Sequence, residues 1–127
     1  MIVLDASALL ALINREPGWE AVARPAAGDD ATISAVNYSE VLQKAARVGI
    51  AAEEIDAALD ELAITITPFG RLDARLAASF YRHRSDLSLA DRVCLALGRS
   101  LSSATYTSDR SWLNWADDLG VHVVVIR

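Results

Sequence analysis

Lysine and cysteine each occur only once in these 127 residues, beside two histidines, three prolines and six glycines. A lone Cys94 excludes an intramolecular disulfide and a cysteine-based zinc site, which leaves it the role of a small buried thiol. The glycines form neither GxxxxGK[ST] nor GxGxxG, so no glycine-rich loop cradles a phosphate, and the absence of GxSxG removes the nucleophile elbow of a Ser/His/Asp hydrolase. His83 and His122 have no carboxylate or cysteine at ligand spacing and read as surface and core residues respectively. No apolar stretch approaches the ~20 residues of a membrane span, and no basic leader opens the chain. A cytoplasmic protein without membrane contact is expected. The prolines are scattered, and no linker, repeat or low-complexity tract divides the sequence, so 1–127 is expected to fold as a single domain.

What is abundant is apolar: 53% of residues are hydrophobic and the mean hydropathy is +0.24. A chain this small normally needs more polar cover, so part of its apolar surface is expected to meet a partner. The net charge of −5 argues against holding nucleic acid through a broad basic surface. A nucleic-acid enzyme that concentrates its acids at one metal site remains open, because bound cations then face the phosphate.

Periodicity organises the chain into alternating strands and helices. MIVLD reads as a buried strand, followed by a helix over ASALLALINRE and a short helical piece at WEAVARPAAG. ATIS is a second strand, and VNYSEVLQKAARVG a helix that Ser34 can cap and Gly49 can stop. AAEEIDAALDELA is helical and ITITPF a strand closed by Pro68 and Gly70. RLDARLAASFYRHRSD and SLADRVCLALGRSL read as helices, ATYTSD as a strand entering the helix RSWLNWADDLG, and VHVVVIR as the last strand. This alternation implies an α/β fold of three layers, α/β/α, with a central parallel sheet flanked by helices, in which sites form beyond the carboxyl ends of the strands.

Four acids fall at that end. Asp5 closes the first strand, Glu40 lies in the helix after the second, Asp91 is in the first turn of SLADRVCLALG, and Asp109 follows ATYT. Each also has a simpler reading: Asp5 and Asp109 as N-caps, Asp91 in a capping box with Ser88, Glu40 as a solvated helix residue. Jointly they raise an electrostatic problem, since two carboxylates ~6 Å apart repel by roughly 3 kcal/mol at an effective dielectric near 20. A divalent cation removes that cost, and an all-oxygen donor set selects Mg²⁺ or Mn²⁺ over zinc. Ser7 and Thr107, each two residues from an acid, can orient a carboxylate or a water, or serve as local caps. Phe80 with Tyr81, and Trp112 with Trp115, are either core residues or partly exposed.

These segments resemble the PIN domain, and within it the VapC-like toxins of toxin-antitoxin pairs. The resemblance rests on VLDASALLAL with Asp5 and Ser7, SAVNYSEVL with Glu40, LSLADRVCLALG with Asp91, TSDRSW with Thr107 and Asp109, and the terminal VHVVVIR, in order along essentially the whole chain. It implies an endoribonuclease that hydrolyses RNA phosphodiesters with cation-activated water, with Asp5, Glu40, Asp91 and Asp109 holding one or two Mg²⁺ or Mn²⁺ ions. It further implies a homodimer and a cognate antitoxin that silences the acids. Arg92 and Arg110, adjacent to two of those acids, are candidate RNA-phosphate contacts. Two other readings are open: an inactive PIN-like interaction module whose acids are only caps, and a magnesium-dependent phosphate-handling domain. The latter wants a second aspartate or a late lysine, where this chain has Ser7 and a misplaced Lys44.

Overall fold

The computed structural model describes residues 1–127. Its centre is one five-stranded sheet of β1 (Ile2–Leu4), β2 (Ala31–Ser34), β3 (Ile64–Thr67), β4 (Ala104–Thr107) and β5 (Val123–Val125), in the order β3-β2-β1-β4-β5. Every neighbouring pair is parallel. Seven helices flank it: α1 (Ala6–Asn14), α2 (Trp19–Gly28), α3 (Ala35–Arg47), α4 (Ala52–Glu61), α5 (Arg71–Ser79), α6 (Leu89–Ser100) and α7 (Ala116–Leu119). The three-layer α/β/α architecture expected from the alternation is present. No helix is long and apolar enough to cross a membrane.

The order of the strands explains which helices cover which face. From β1 to β2 to β3 the chain steps in one direction, and right-handed crossovers keep α1 to α4 on one side. It then reverses past β1 to β4, so α5 and α6 lie on the other. The pleat of β1 feeds both cores: Ile2 and Leu4 pack with Leu9, Val22, Ile33, Val41 and Ile55, whereas Val3 packs with Phe80, Cys94, Leu95, Trp112 and Leu119. Being buried on both faces is why the strand reads as an unbroken apolar run.

Three differences from the sequence reading have local causes. The helix beginning RLDARLAAS stops at Ser79, so YRHRSD is loop, not helix. Phe80, 1% exposed, is drawn into the core there and turns the chain, leaving Tyr81 outside. The segment RSWLNWADDLG is broken into a 3₁₀ turn at Arg110–Asn114 and the short α7, joined at Trp115. Burial of Trp112 beneath that turn fixes the break. The last strand is confined to Val123–Val125, the residues in register with Thr105–Thr107 of β4.

Gly18 anchors the start of α2 against the far end of the chain. Its φ is +93°, and a Cβ there would lie 2.3 Å from the carbonyl oxygen of Ile126, a backbone atom that cannot swing aside. Gly18→Ala is therefore expected to cost more than about 2 kcal/mol, read as a lowered urea midpoint with an unchanged m-value.

Candidate metal and nucleic-acid site

The strand order reverses between β1 and β4, and this switch point is where a parallel sheet opens a crevice at its carboxyl end. Asp5 stands there as the N-cap of α1, with only 8% of its surface exposed. Its Oδ1 accepts from the Ala8 amide at 2.8 Å and the Ser7 hydroxyl at 2.6 Å, and its Oδ2 accepts from the Thr107 hydroxyl at 2.7 Å. Thr107 Oγ1 in turn accepts from the Asp109 amide, and Ser7 Oγ from the Ser108 amide. Two hydroxyls thus tie the ends of β1 and β4 together through one carboxylate.

The other acids are held by the same device, one oxygen at a time. Asp91 Oδ2 accepts from the Ser88 amide at 2.9 Å while the Ser88 hydroxyl accepts from the Asp91 amide, a capping box at the start of α6. Asp109 Oδ1 accepts from the amide and hydroxyl of Ser111. Glu40 Oε1 accepts from the Asn37 amide group at 2.9 Å. Every capping role is therefore real for the three aspartates, yet Glu40 Oε2, Asp91 Oδ1 and Asp109 Oδ2 have no hydrogen-bond partner within the chain.

No base neutralises this group. The three ion pairs of the protein join the N-terminus to Asp29, Arg82 to Asp118 and Arg127 to Glu16, and none reaches the four acids. The Asp5 carboxyl is pushed above its ordinary pKa chiefly by burial, partly offset by its hydrogen bonds, with a smaller contribution from Asp91. Asp91 is raised as well, by burial first and then by the charges of Asp109 and Glu40, against the lowering effect of Ser88. The acids therefore feel one another across the crevice. As placed, no three of them gather tightly enough to share one ion. Their chemistry suits a hard divalent cation all the same: oxygen donors, one uncommitted oxygen on each of three carboxylates, and mutual repulsion without a counter-charge.

The family model described as PIN domain matches residues 2–117. The chain belongs to the PIN domain family. That match takes in Asp5, Glu40, Asp91 and Asp109 and ends before β5. No curated protein matches the sequence. Similar solved structures include a toxin-antitoxin complex from Klebsiella pneumoniae, 18% identical with a TM-score of 0.73, covering 100% of this chain and 98% of that one. VapC20 of Mycobacterium tuberculosis, described as a sarcin-ricin loop cleaving toxin, is 19% identical with a TM-score of 0.71, covering 90% of this chain and 94% of that one. VapBC2 from Rickettsia felis, solved with a DNA fragment from its promoter, is 15% identical with a TM-score of 0.69 and full coverage, 100%, of both chains. At these identities the likeness is one of fold.

The two arginines that the sequence names as candidate RNA-phosphate contacts, Arg92 and Arg110, also make contacts within this PIN domain. Arg110 reaches the carbonyl of Arg127 at 3.5 Å, and Arg92 lies over the ring of Tyr81, its guanidinium carbon 5.4 Å from the centroid. Neither pairs with its neighbouring acid. Sequence reasoning missed Asn37, which is 1% exposed and joins Glu40 Oε1 on α3 to the Ala90 carbonyl at the start of α6. Its spacing of three residues before Glu40 on one helix was the available signal. Cys94, as expected, is buried, and its thiol is pushed up by burial and by the nearby acids.

The raised Asp5 pKa has a testable sign. Below the unfolded-state value both states carry the proton, and as pH rises the unfolded state loses it first, so ionisation of Asp5 erodes stability up to the folded pKa. An Asn at this position can still accept from the Ala8 amide. In EDTA, Asp5→Asn is expected to match or exceed the parent in stability, with an advantage that first appears above about pH 4 and widens as the pH rises. Urea melts from acid to neutral pH measure this difference, and a variant that weakens relative to the parent as pH rises would contradict the assignment.

Proposed function

We propose that this PIN domain is a divalent-metal-dependent endoribonuclease, the toxin of a toxin-antitoxin pair. The observation that carries the reading is the unneutralised set of Asp5, Glu40, Asp91 and Asp109 at the switch point, three of them with a free oxygen. Structural likeness to toxin-antitoxin proteins and to an RNA-cleaving toxin supports it.

Asp5, Glu40, Asp91 and Asp109 would hold one or two Mg²⁺ or Mn²⁺ ions. When bound, such an ion supplies Lewis acidity and a coordinated water of lowered pKa for attack on phosphorus. The chain's own contribution is positional. Ser7 and Thr107 fix the Asp5 carboxylate between β1 and β4, Asn37 fixes Glu40 against α6, and the Ser88 and Ser111 amides fix Asp91 and Asp109. At Asp5 and Asp91 these bonds favour the ionised carboxylate that a cation requires, against the burial that pushes both carboxyls up.

An antitoxin side chain bearing Arg or Lys would satisfy the same carboxylates, which have no base of their own. The protein would associate as a homodimer. The protein would act in the cytoplasm, as one domain.

The second reading, a PIN-like interaction module whose acids only cap helices, is favoured by the capping bonds of Asp5, Asp91 and Asp109. Asp91→Asn separates the two, because Asn can still accept from the Ser88 amide and keeps the fold. With Mg²⁺ or Mn²⁺ and a mixed structured RNA pool, the parent is expected to cleave, EDTA to stop it, and Asp91→Asn to lose more than about 100-fold, beyond what loss of a merely supporting contact costs. Equal cleavage in all three would sink the nuclease reading.

Metal binding is read independently of cleavage. Millimolar Mg²⁺ or Mn²⁺ is expected to raise the melting temperature of the parent, since a ligand of the folded state stabilises it by mass action. Asp5→Asn and Asp91→Asn should show a smaller rise. A rise of the same size in parent and variants would remove these two acids from the metal site.

A further inference from the structure

The strongest concentration of uncommitted aromatic and basic side chains in this acidic protein lies in the loop Tyr81–Leu87, between α5 and α6. It reads YRHRSDL, of which the sequence pattern carries YRHRSD in a helix and the fold instead lays those residues out as loop.

Both flanks of the loop are pinned. Arg82 donates to Asp118 on α7 at 2.8 Å and to the carbonyls of Ser79 and Tyr81, the Trp115 indole donates to Asp86 at 3.0 Å, and Leu87 is buried. The loop then runs directly into Ser88, whose amide holds Asp91. Between these anchors, Tyr81, His83 and Arg84 make no side-chain hydrogen bond or ion pair and are exposed. Arg84 sits at φ +61°, in the left-handed region.

Tyr81 is 59% exposed, and the Arg92 guanidinium covers its ring from the α6 side. Arg92 Nε is itself buried and without a hydrogen-bond partner. A large aromatic left in water and backed on one side by a cation is the arrangement that stacks an unpaired base, and Arg84, exposed three residues on, is a cation of the same loop available to phosphate. Arg92 follows Asp91 in sequence at the start of α6, and the loop itself leads into Ser88, whose amide holds Asp91.

We propose that Tyr81 is a stacking platform for an unpaired base of the RNA substrate, that Arg92 positions the ring, and that Arg84 contacts the flanking backbone. The inference builds on the ribonuclease reading and gives that site its preference for single-stranded RNA. Duplex RNA, with its bases already stacked, offers the ring nothing.

The test is fluorescence anisotropy in EDTA, where no cleavage occurs, with the full chain and a fluorescein-labelled oligoadenylate of about 12 nucleotides, within the usual span of a single-strand site. Tyr81→Ala is expected to weaken binding roughly 5- to 100-fold, while Tyr81→Phe, which keeps the ring, stays near the parent. Arg84→Gln is expected to flatten the dependence of log K on log salt by about 0.7. A duplex of the same length should bind more weakly than the single strand and be indifferent to Tyr81→Ala. Unchanged affinity in Tyr81→Ala overturns the platform, as does a parent that does not bind the single strand. Loss of self-association in Tyr81→Ala with RNA binding intact would also overturn it, by assigning the ring to a second copy of the chain. Because binding is read without turnover, cleavage without a role for Tyr81 defeats this inference alone, whereas Tyr81-dependent binding without metal-dependent cleavage defeats only the nuclease reading.

Discussion

A carboxylate closed off from water at the junction of β1 and β4 constrains most of what surrounds it. Asp5 is buried because the strand before it is buried on both faces and because α1 starts at once, over the sheet. A charge in that position is tolerable only if its oxygens are hydrogen-bonded. Ser7, Ala8 and Thr107 meet that demand, and meeting it fixes the separation of the two strands at the switch point. The turn after β4, with Asp109, is then placed through the Thr107 hydroxyl.

The same end of the sheet is built by three independent helix starts. Asp5 caps α1, the Ser88–Asp91 pair caps α6, and Asp109 caps the 3₁₀ turn. Helix N-termini carry partial positive charge, which favours acids there and lets several be placed in one crevice at a lower electrostatic cost. Structural and chemical demands therefore coincide on one residue type. An aspartate satisfies an orphan amide with one oxygen and can present the other to a cation, which a serine cap cannot do. Glu40 is the exception, being in the second turn of α3, and it is oriented by Asn37 in place of a cap.

Charge is divided across the molecule in a way that net charge conceals. The helix α4 carries five acids and no base in the stretch AEEIDAALDE, whereas the loop after α5 gathers Arg82, His83 and Arg84. An acidic protein can thus carry a local basic stretch, although Arg82 within it is paired with Asp118. Buried Phe80 exposes that stretch: by ending α5 in the core, it turns Tyr81 and the residues after it outward.

Much of this was legible in the chain. Alternating strand and helix periods fixed the layered α/β class, the double burial of β1 was written in IVL, and the three aspartates were visible because each follows a strand or opens a helix. Asp91 with Ser88 formed the capping box that its spacing specifies. Other features were settled by tertiary contact. Helical composition carried RLDARLAASFYRHRSD on past Ser79, and only burial of Phe80 ends it; burial of Trp112 likewise splits the last helical stretch. Arg92 and Arg110 sit beside acids in sequence yet point to Tyr81 and Arg127, because neighbouring positions on a helix or tight turn face different ways. The sequence by itself determined the order of the elements and the residue types at the ends of β1 and β4, which depend on local propensity and hydrophobic period. The pairing of Thr107 with Asp5 across 102 residues, and of Asn37 with Ala90 across 53, was decided by strand order and helix packing, which no local pattern encodes.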